Sequence, residues 1–301
     1  MKKGLFVINP SSGKQNIMST VEQIIGKLIM MQISDHIDVF YTQKKDDAKE
    51  RTMELKPGEY DFVVAVGGDG TLNEVVNGLY LSQSQIPLAI ISAGTVNDFA
   101  TYLHLPQAPD AFVDMIDQFK LKDVDLGKVD NEYFINVLAG GMLTDIAYKV
   151  PKDKKAALGK FAYYLEGAVE LPKQMAGPKL RLKFDSEEYS DTTDTLVFLV
   201  TNSKSVGGYD KAAPEASVSD GYLDVLVLKQ VSMFSTPDLL IKFLQGEHHN
   251  HPDIEYFQTK HVSVELAEGE NVAIDYDGEL LEGGLPIDIS IIEKAVKVII
   301  P

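Results

Sequence analysis

Hydrophobic positions along the first 125 residues come in short continuous runs separated by segments of helical spacing. GLFVI (residues 4–8) is followed by apolar positions at helical intervals over residues 17–31. IDVFY (37–41) precedes a polar helical stretch over 46–56. FVVAV (62–66) leads into a helix from Thr71, and PLAII (87–91) closes the series. Strands alternating with helices predict an α/β layer with a mainly parallel sheet, its strands buried on both faces and therefore apolar throughout. From about residue 124 the texture changes to VDLGKV, YFINVL, KLRLKF, TLVFLV, YLDVLVL, HVSVEL, VAIDYDG and IDISII, divided by Gly and Asp turns. These runs predict a second, β-rich domain that is mainly antiparallel and sandwich-like, with helical insertions over residues 158–171 and 235–244. Two domains of ordinary size suit a chain of 301 residues.

Composition narrows the chemistry. Cysteine is absent, which excludes disulfides, a thiol nucleophile, Cys-ligated zinc and iron–sulfur clusters, and suits a reducing cytoplasm. The opening MKKGLFVINP reads as a first buried strand and not a secretory signal, because Asn9-Pro10 ends its short apolar run. No apolar run approaches the roughly 18 residues of a spanning helix, so a cytoplasmic chain that is soluble or peripheral on the inner face of the membrane is expected. A net charge of −17 repels nucleic acid and anionic lipid, so no nucleic-acid partner is expected. Lys149, Lys152, Lys154, Lys155 and Lys160 form a local exception around the single acid Asp153. They read either as a solvated face or as a peripheral membrane contact.

The residues that carry chemistry follow the predicted strands of the first half. In open parallel sheets the ligand lies beyond the carboxyl ends of the strands. Those ends carry NPSSG (residues 9–13), Thr42, GGDGTLN (67–73) and the GTVND stretch (94–98). NPSSG could converge backbone N–H groups on a phosphate, although a plain strand-to-helix turn reads the same way. GGDGT is stronger: its glycines let an anion approach the backbone, Thr71 can cap the following helix, and that helix aims its positive end at the site. Asp69 beside a phosphate site suggests magnesium; a ligand-free Gly-Asp turn is the alternative.

NPSSG, GGDGTLNEVVNG (67–78) and AGTVNDFA (93–100) together resemble the bacterial diacylglycerol kinases, relatives of the sphingosine and ceramide kinases, over nearly the whole chain. GGDGT alone also fits NAD kinases and, more loosely, phosphofructokinases; AGTVNDFA favours the lipid-kinase pattern. Members of the family often have proline where this chain has Ser92. The resemblance implies an ATP site formed by Asn9, Pro10, Ser11, Ser12, Gly13, Thr42, Gly67, Gly68, Asp69, Gly70, Thr71, Leu72, Asn73 and Thr95. It implies that Asp69 and Asp98 organise a catalytic Mg2+; helix capping is the bland reading of Asp98. It further implies a structural Mg2+ on Ser217, Asp220 and Tyr222 within VGGYDKAAPEASVSDGYLDV (206–225), where a simple hairpin turn is the alternative.

Glu279, in DYDGE (275–279), would be the general base that takes a proton from a lipid hydroxyl, or else an exposed glutamate at a hairpin. His248, His249 and His251 in GEHHNHP (246–252) lack the spacing of a metal site and read as a polar helix end. The family also implies that a strand at 295–301 returns to the first domain. The expected division is thus 1–125 with 295–301, and 126–294, with the acceptor in a cleft between them. The expected reaction is Mg-dependent transfer of the γ-phosphoryl of ATP to diacylglycerol or a similar lipid. An NAD-kinase-like enzyme and a non-catalytic nucleotide or lipid sensor are the rival readings. Lipid preference and oligomeric state, a homodimer included, stay open.

Overall fold

The computed structural model describes residues 1–12, 17–94, 96–141, 180–230 and 236–301. They fall into two compact units, Met1–Asp125 with Glu293–Pro301, and Leu126–Ile292. The basic cluster from Lys149 to Lys160, the helix expected at 158–171, Gly13 and Thr95 lie outside the described residues.

In the first unit β1 (Lys2–Ile8), β2 (Ser34–Tyr41), β3 (Phe62–Gly67) and β4 (Leu88–Ser92) form a parallel sheet in the order β4-β3-β1-β2. Every residue of β3 and β4 is buried, as the continuous apolar runs require of interior strands. The edge strand β2 keeps Asp35 and His36 in solvent, a polar edge that discourages pairing with another chain. The connecting helices are α1 (Ile17–Met30), α2 (Asp47–Met53), α3 (Asp69–Ser82), α4 (Asp98–Tyr102) and α5 (Pro109–Gln118). In α1, Val21, Ile24 and Leu28 supply the buried stripe at three- and four-residue intervals. Helices α2 and α3 touch at Gly78, where an added Cβ would lie 2.5 Å from the Lys49 carbonyl oxygen.

The second unit is antiparallel, as its sequence texture predicts. Its strands are the end of β5 (Lys120–Val129), β6 (Glu132–Phe134), β7 (Val137–Gly140), β8 (Arg181–Asp185), β9 (Ser190–Thr201), β10 (Leu223–Lys229), β11 (Ile254–Thr259), β12 (His261–Glu268), β13 (Ile274–Tyr276), β14 (Glu279–Leu280) and most of β15 (Ile287–Ile300). One sheet contains β8, β12 and β15; the other runs β14-β13-β7-β9-β10-β11. Strand β9 serves both. Its first five residues pair with β8, and Thr195 onward pairs with β10, so the chain turns the corner of a sandwich within one strand.

Alternation explains why LVFLV (196–200) and VLVL (225–228) are apolar at every position. Phe198, Val200, Val225 and Val227 enter the core between the sheets with Leu182, Phe184, Val262, Val264, Ile287 and Ile289. Their neighbours Val197, Leu199, Leu226 and Leu228 face the other way. They are covered by Val206, Ala212, Ala213, Ala216 and two side chains, Leu239 and Phe243, of α6 (Thr236–Gln245). Two differences from the sequence reading stand out. YFINVL is two strands broken at Ile135 and Asn136, and IEYFQT forms the unexpected edge strand β11, half-exposed and so lacking a strong apolar pattern. At its C-terminal end β15 enters the first unit, where Val298 pairs in parallel with Leu88. Among the described residues no helix is long and apolar enough to cross a membrane.

Candidate functional site

The carboxyl ends of β1, β2, β3 and β4 bring four segments to one edge of the first sheet. Asn9 continues β1 by donating its backbone N–H to Val66 O at 2.9 Å, and Thr42 N–H donates to Ile8 O at 2.9 Å. Ala93 N–H donates to Gly67 O at 2.7 Å. The Asn9 side chain reaches across to α3, its Nδ2 donating to Thr71 Oγ1 at 3.1 Å. Of the sequence-predicted nucleotide residues, Asn9, Thr42, Gly67 and Thr71 are therefore tied to one another or to adjacent strand ends.

Two details differ from expectation. Ser11 N–H donates to Asn9 Oδ1 at 3.0 Å and Ser12 N–H to Asn9 O at 3.1 Å, so these two groups close a turn instead of pointing together at a ligand. Thr71 is not the helix cap: α3 begins at Asp69 with Gly68 as its N-cap, and Thr71 is buried in the first turn. The helix starts two residues early because the glycines leave no side chain to obstruct the turn. An added Cβ at Gly67 would lie 2.5 Å from Thr71 Cβ, and one at Gly94 would lie 2.7 Å from Gly68 Cα. Glycine at 67, 68 and 94 thus permits close packing of the loop. Gly70 is different: it is exposed, and a Cβ there would meet nothing within 4 Å. The first turn of a 14-residue helix, with leading N–H groups that have no intrahelical acceptor and a positive dipole end, therefore opens onto free space at Gly70.

Asp69 and Asp98 flank this edge. One Asp69 carboxylate oxygen accepts the Asn97 backbone N–H at 3.1 Å, joining the glycine-rich turn to the next strand end. Asn97 adopts a left-handed conformation (φ 55°), and its side chain closes the loop by accepting from Gly94 N–H at 2.9 Å and donating to Gly94 O at 2.8 Å. Asp98 follows at the start of α4 and is buried. Asn73 is also buried, and Asn77 Nδ2 donates to its side-chain oxygen at 3.1 Å. Glu74, which sequence reading passed over, accepts backbone N–H groups from Asp46 and Ala48 at 3.1 Å each, holding the loop after Thr42 against α3. Burial raises its carboxyl above the usual range. A glutamate on a helix reads as a surface residue, and only a partner 26 or 28 positions away reveals its role.

In the second unit Asp220 is exposed in a turn with Gly221 at φ 78°, and its Oδ1 accepts Tyr222 N–H at 3.1 Å. Ser217 precedes this turn. Two residues beyond Tyr222 lies Asp224, fully buried in β10, with Oδ1 accepting from the Tyr256 hydroxyl and from Gln258 Nε2. Its Oδ2 has no hydrogen-bond partner. Desolvation pushes the Asp224 carboxyl up to about 6, and the negative field of Asp220 and Glu215 adds to the shift. The described residues contain no cluster of three His, Asp or Glu side chains able to hold a metal, so any cation here would need main-chain oxygens. The histidines of GEHHNHP are largely internal. His248 is buried against Phe243 and hydrogen-bonds Ala212 O through Nε2 at 2.8 Å, and His251 is buried beside Asp238 and Asp253.

Glu279 lies on a tight hairpin. Tyr276 pairs with Glu279 across the two-residue loop Asp277-Gly278, and both loop residues have positive φ (50° and 93°), the signature of a type I′ Asp-Gly turn. Asp277 does more than turn the chain. Its carboxylate accepts the backbone N–H groups of Ile135 (2.7 Å), Asn136 (3.1 Å) and Val137 (2.9 Å), which is why YFINVL breaks where it does. Glu279 is partly buried, and Leu280 beside it is 53% exposed.

Comparison with known proteins agrees with this architecture. Residues 3–129 match the family described as the diacylglycerol kinase catalytic domain, and residues 141–300 match the YegS C-terminal NAD kinase beta sandwich-like domain. A Staphylococcus saprophyticus protein named diacylglycerol kinase is 33% identical over 300 residues, covering 100% of this chain and 96% of its own. A Staphylococcus aureus protein of the same name is 32% identical over 300 residues, covering 100% and 93%. A crystal structure titled a diacylglycerol kinase from Bacillus anthracis strain Sterne aligns with TM-score 0.75 at 22% identity, covering 99% of this chain and 97% of that one, a likeness of fold. With the glycine-rich strand–helix turn in the first unit, the β-sandwich in the second, and full-length relatives at this identity, the chain belongs to the bacterial diacylglycerol kinase family.

Proposed function

We propose that the protein transfers the γ-phosphoryl group of ATP to the hydroxyl of diacylglycerol or a similar lipid, with Glu279 as general base. The observation that carries this reading is the open start of α3 at Gly70, flanked by Asp69 and Asp98 on the edge where four strand ends meet. Backbone N–H groups of the first helical turn would hold the phosphates, with Asn9 and Thr42 beside the nucleotide; Gly13 and Thr95 are proposed as nucleotide residues from the sequence alone. Asp69 and Asp98 offer the oxygen donors a hard cation takes, and Mg2+ bound there would neutralise charge on the phosphates.

Glu279 takes the proton from the lipid hydroxyl as that oxygen attacks the γ-phosphorus, and the bond to the β-phosphate oxygen breaks to release ADP. Glu279→Gln keeps size and hydrogen-bonding capacity but removes the base. Turnover should fall about 10²- to 10⁴-fold with ATP binding intact, and full activity in that variant would remove Glu279 from the role.

Ser217, Asp220 and Tyr222 are proposed as the ligands of a structural Mg2+, supported by oxygen-only chemistry and by the orphaned Asp224 oxygen in a negative field beside the turn. Without ATP, magnesium should raise the melting temperature of wild type more than that of Asp220→Ala, which keeps Asp69 and Asp98; an equal rise in both would remove this site. The basic cluster at Lys149, Lys152, Lys154, Lys155 and Lys160 is proposed to meet the anionic inner face of the membrane, where the lipid substrate resides, from the cytoplasm.

A further inference from the structure

We infer that Asp277 is the residue that positions Glu279, and that it does so by fastening the Glu279 hairpin to a rigid polar anchor inside the β-sandwich. The inference rests on the reading of Glu279 as the base and adds a residue that this reading did not include. Asp277 sits at the apex of the hairpin, two residues before Glu279. Its own N–H donates to Val137 O at 2.9 Å while its carboxylate accepts three consecutive N–H groups at 135–137. Four hydrogen bonds therefore fix one residue to a segment 140 positions earlier in the chain.

The segment receiving Asp277 is itself immobilised from its far side. Asn136 Nδ2 donates to Ser205 O at 3.0 Å, and Asn136 Oδ1 accepts from the Ser203 hydroxyl. The Asn136 carbonyl accepts Asn202 N–H at 2.9 Å, and Asn202 Nδ2 donates to Ile135 O at 2.9 Å. Asn136, Asn202, Ser203 and Ser205 are all buried. These buried hydrogen bonds restrain the backbone that makes them.

Strand pairing alone would hold Glu279 loosely. Strand β14 has only two residues and lies at the end of its sheet, paired to the three-residue β13. The Asp277 carboxylate adds three hydrogen bonds to this short pairing. Placing a general base within hydrogen-bond reach of an acceptor hydroxyl requires such restraint, because displacement by about 1 Å can cost on the order of 100-fold in rate.

The test compares full-length wild type with Asp277→Ala, Asp277→Asn, Glu279→Gln and the Asp277→Ala/Glu279→Gln double variant. Each is measured for diacylglycerol phosphorylation, ATP affinity, melting temperature and amide exchange at residues 135–137. Asp277→Ala should lower kcat about 100-fold and speed exchange at 135–137, with ATP affinity kept. Asp277→Asn, which retains one carbonyl acceptor and tolerates the left-handed φ, should recover most of the lost kcat even if Asp277→Ala melts too low to assay.

In the Glu279→Gln background, Asp277→Ala should cause no further loss, because a positioning residue has nothing left to position. An inactive Glu279→Gln together with an unchanged kcat in Asp277→Ala would overturn the inference and leave the base intact. So would a double variant that shows the full product of the two losses. A fully active Glu279→Gln, read with Asp277 in place, would instead overturn the base assignment and the inference with it.

Discussion

Gly70→Ala separates the demands of folding from those of ligand binding at the glycine-rich turn. The substitution places one methyl group where nothing lies within 4 Å, in the first turn of α3 and at a backbone conformation without positive φ. For the folded protein alone the change is favourable: alanine is preferred to glycine in a helix by up to about 1 kcal/mol, less near its start. The corresponding rise in melting temperature is roughly 2–4 °C. If the phosphates of ATP occupy that space, the same methyl overpacks the complex. A penalty of about 1–3 kcal/mol would weaken ATP binding roughly 5- to 150-fold.

Gly67→Ala is the control, since its Cβ would lie 2.5 Å from Thr71 Cβ and must destabilise the unbound protein. Thermal melting without ligand and calorimetric titration with ATP·Mg give both quantities. A more stable Gly70→Ala protein that binds ATP as wild type does would refute the assignment of this space to phosphate.

Two further outcomes follow from the structure and the charge pattern. His248 is buried, and desolvation holds its imidazole below the ordinary value of 6.5. The unfolded chain therefore takes up the proton first, and the stability contributed by the neutral ring is complete above about pH 6.5 and lost as pH falls below it. His248→Phe, though less stable at neutral pH through loss of the bond to Ala212, should show a shallower decline between pH 6.5 and 5; an unchanged slope in chemical denaturation would count against this. Neutralising Lys152, Lys154 and Lys155 should weaken binding to anionic vesicles and steepen no other property, and sedimentation that does not change would exclude the cluster as a membrane contact.

The sequence exposed those parts of the fold that depend on local pattern. Fully buried parallel strands read directly from FVVAV and PLAII, and GGDGT identified the strand–helix junction because an added Cβ at Gly67 would lie under 3 Å from Thr71. Continuous runs in β9 and β10 also marked strands, although the covering of both faces became visible only in three dimensions. Long-range polar contacts were hidden. Asp277 reads as half of an Asp-Gly turn, and its three N–H partners lie 140 to 142 residues away. The break in YFINVL is invisible for the same reason: its apolar pattern continues while its N–H groups turn to that carboxylate. Strand β11 escaped notice because a half-exposed edge strand has no strong alternation to detect. Thr71 was misassigned as a cap because the rule favouring threonine at helix starts does not reveal that a glycine can begin the helix earlier.

The central claim is most directly tested by offering labelled ATP and magnesium together with diacylglycerol in mixed micelles and, in a parallel reaction, with NAD. The account predicts label in the lipid as phosphatidic acid, dependent on both magnesium and Glu279, and none in NAD. Label in NAD with none in diacylglycerol, monoacylglycerol, ceramide or polyprenol would contradict it.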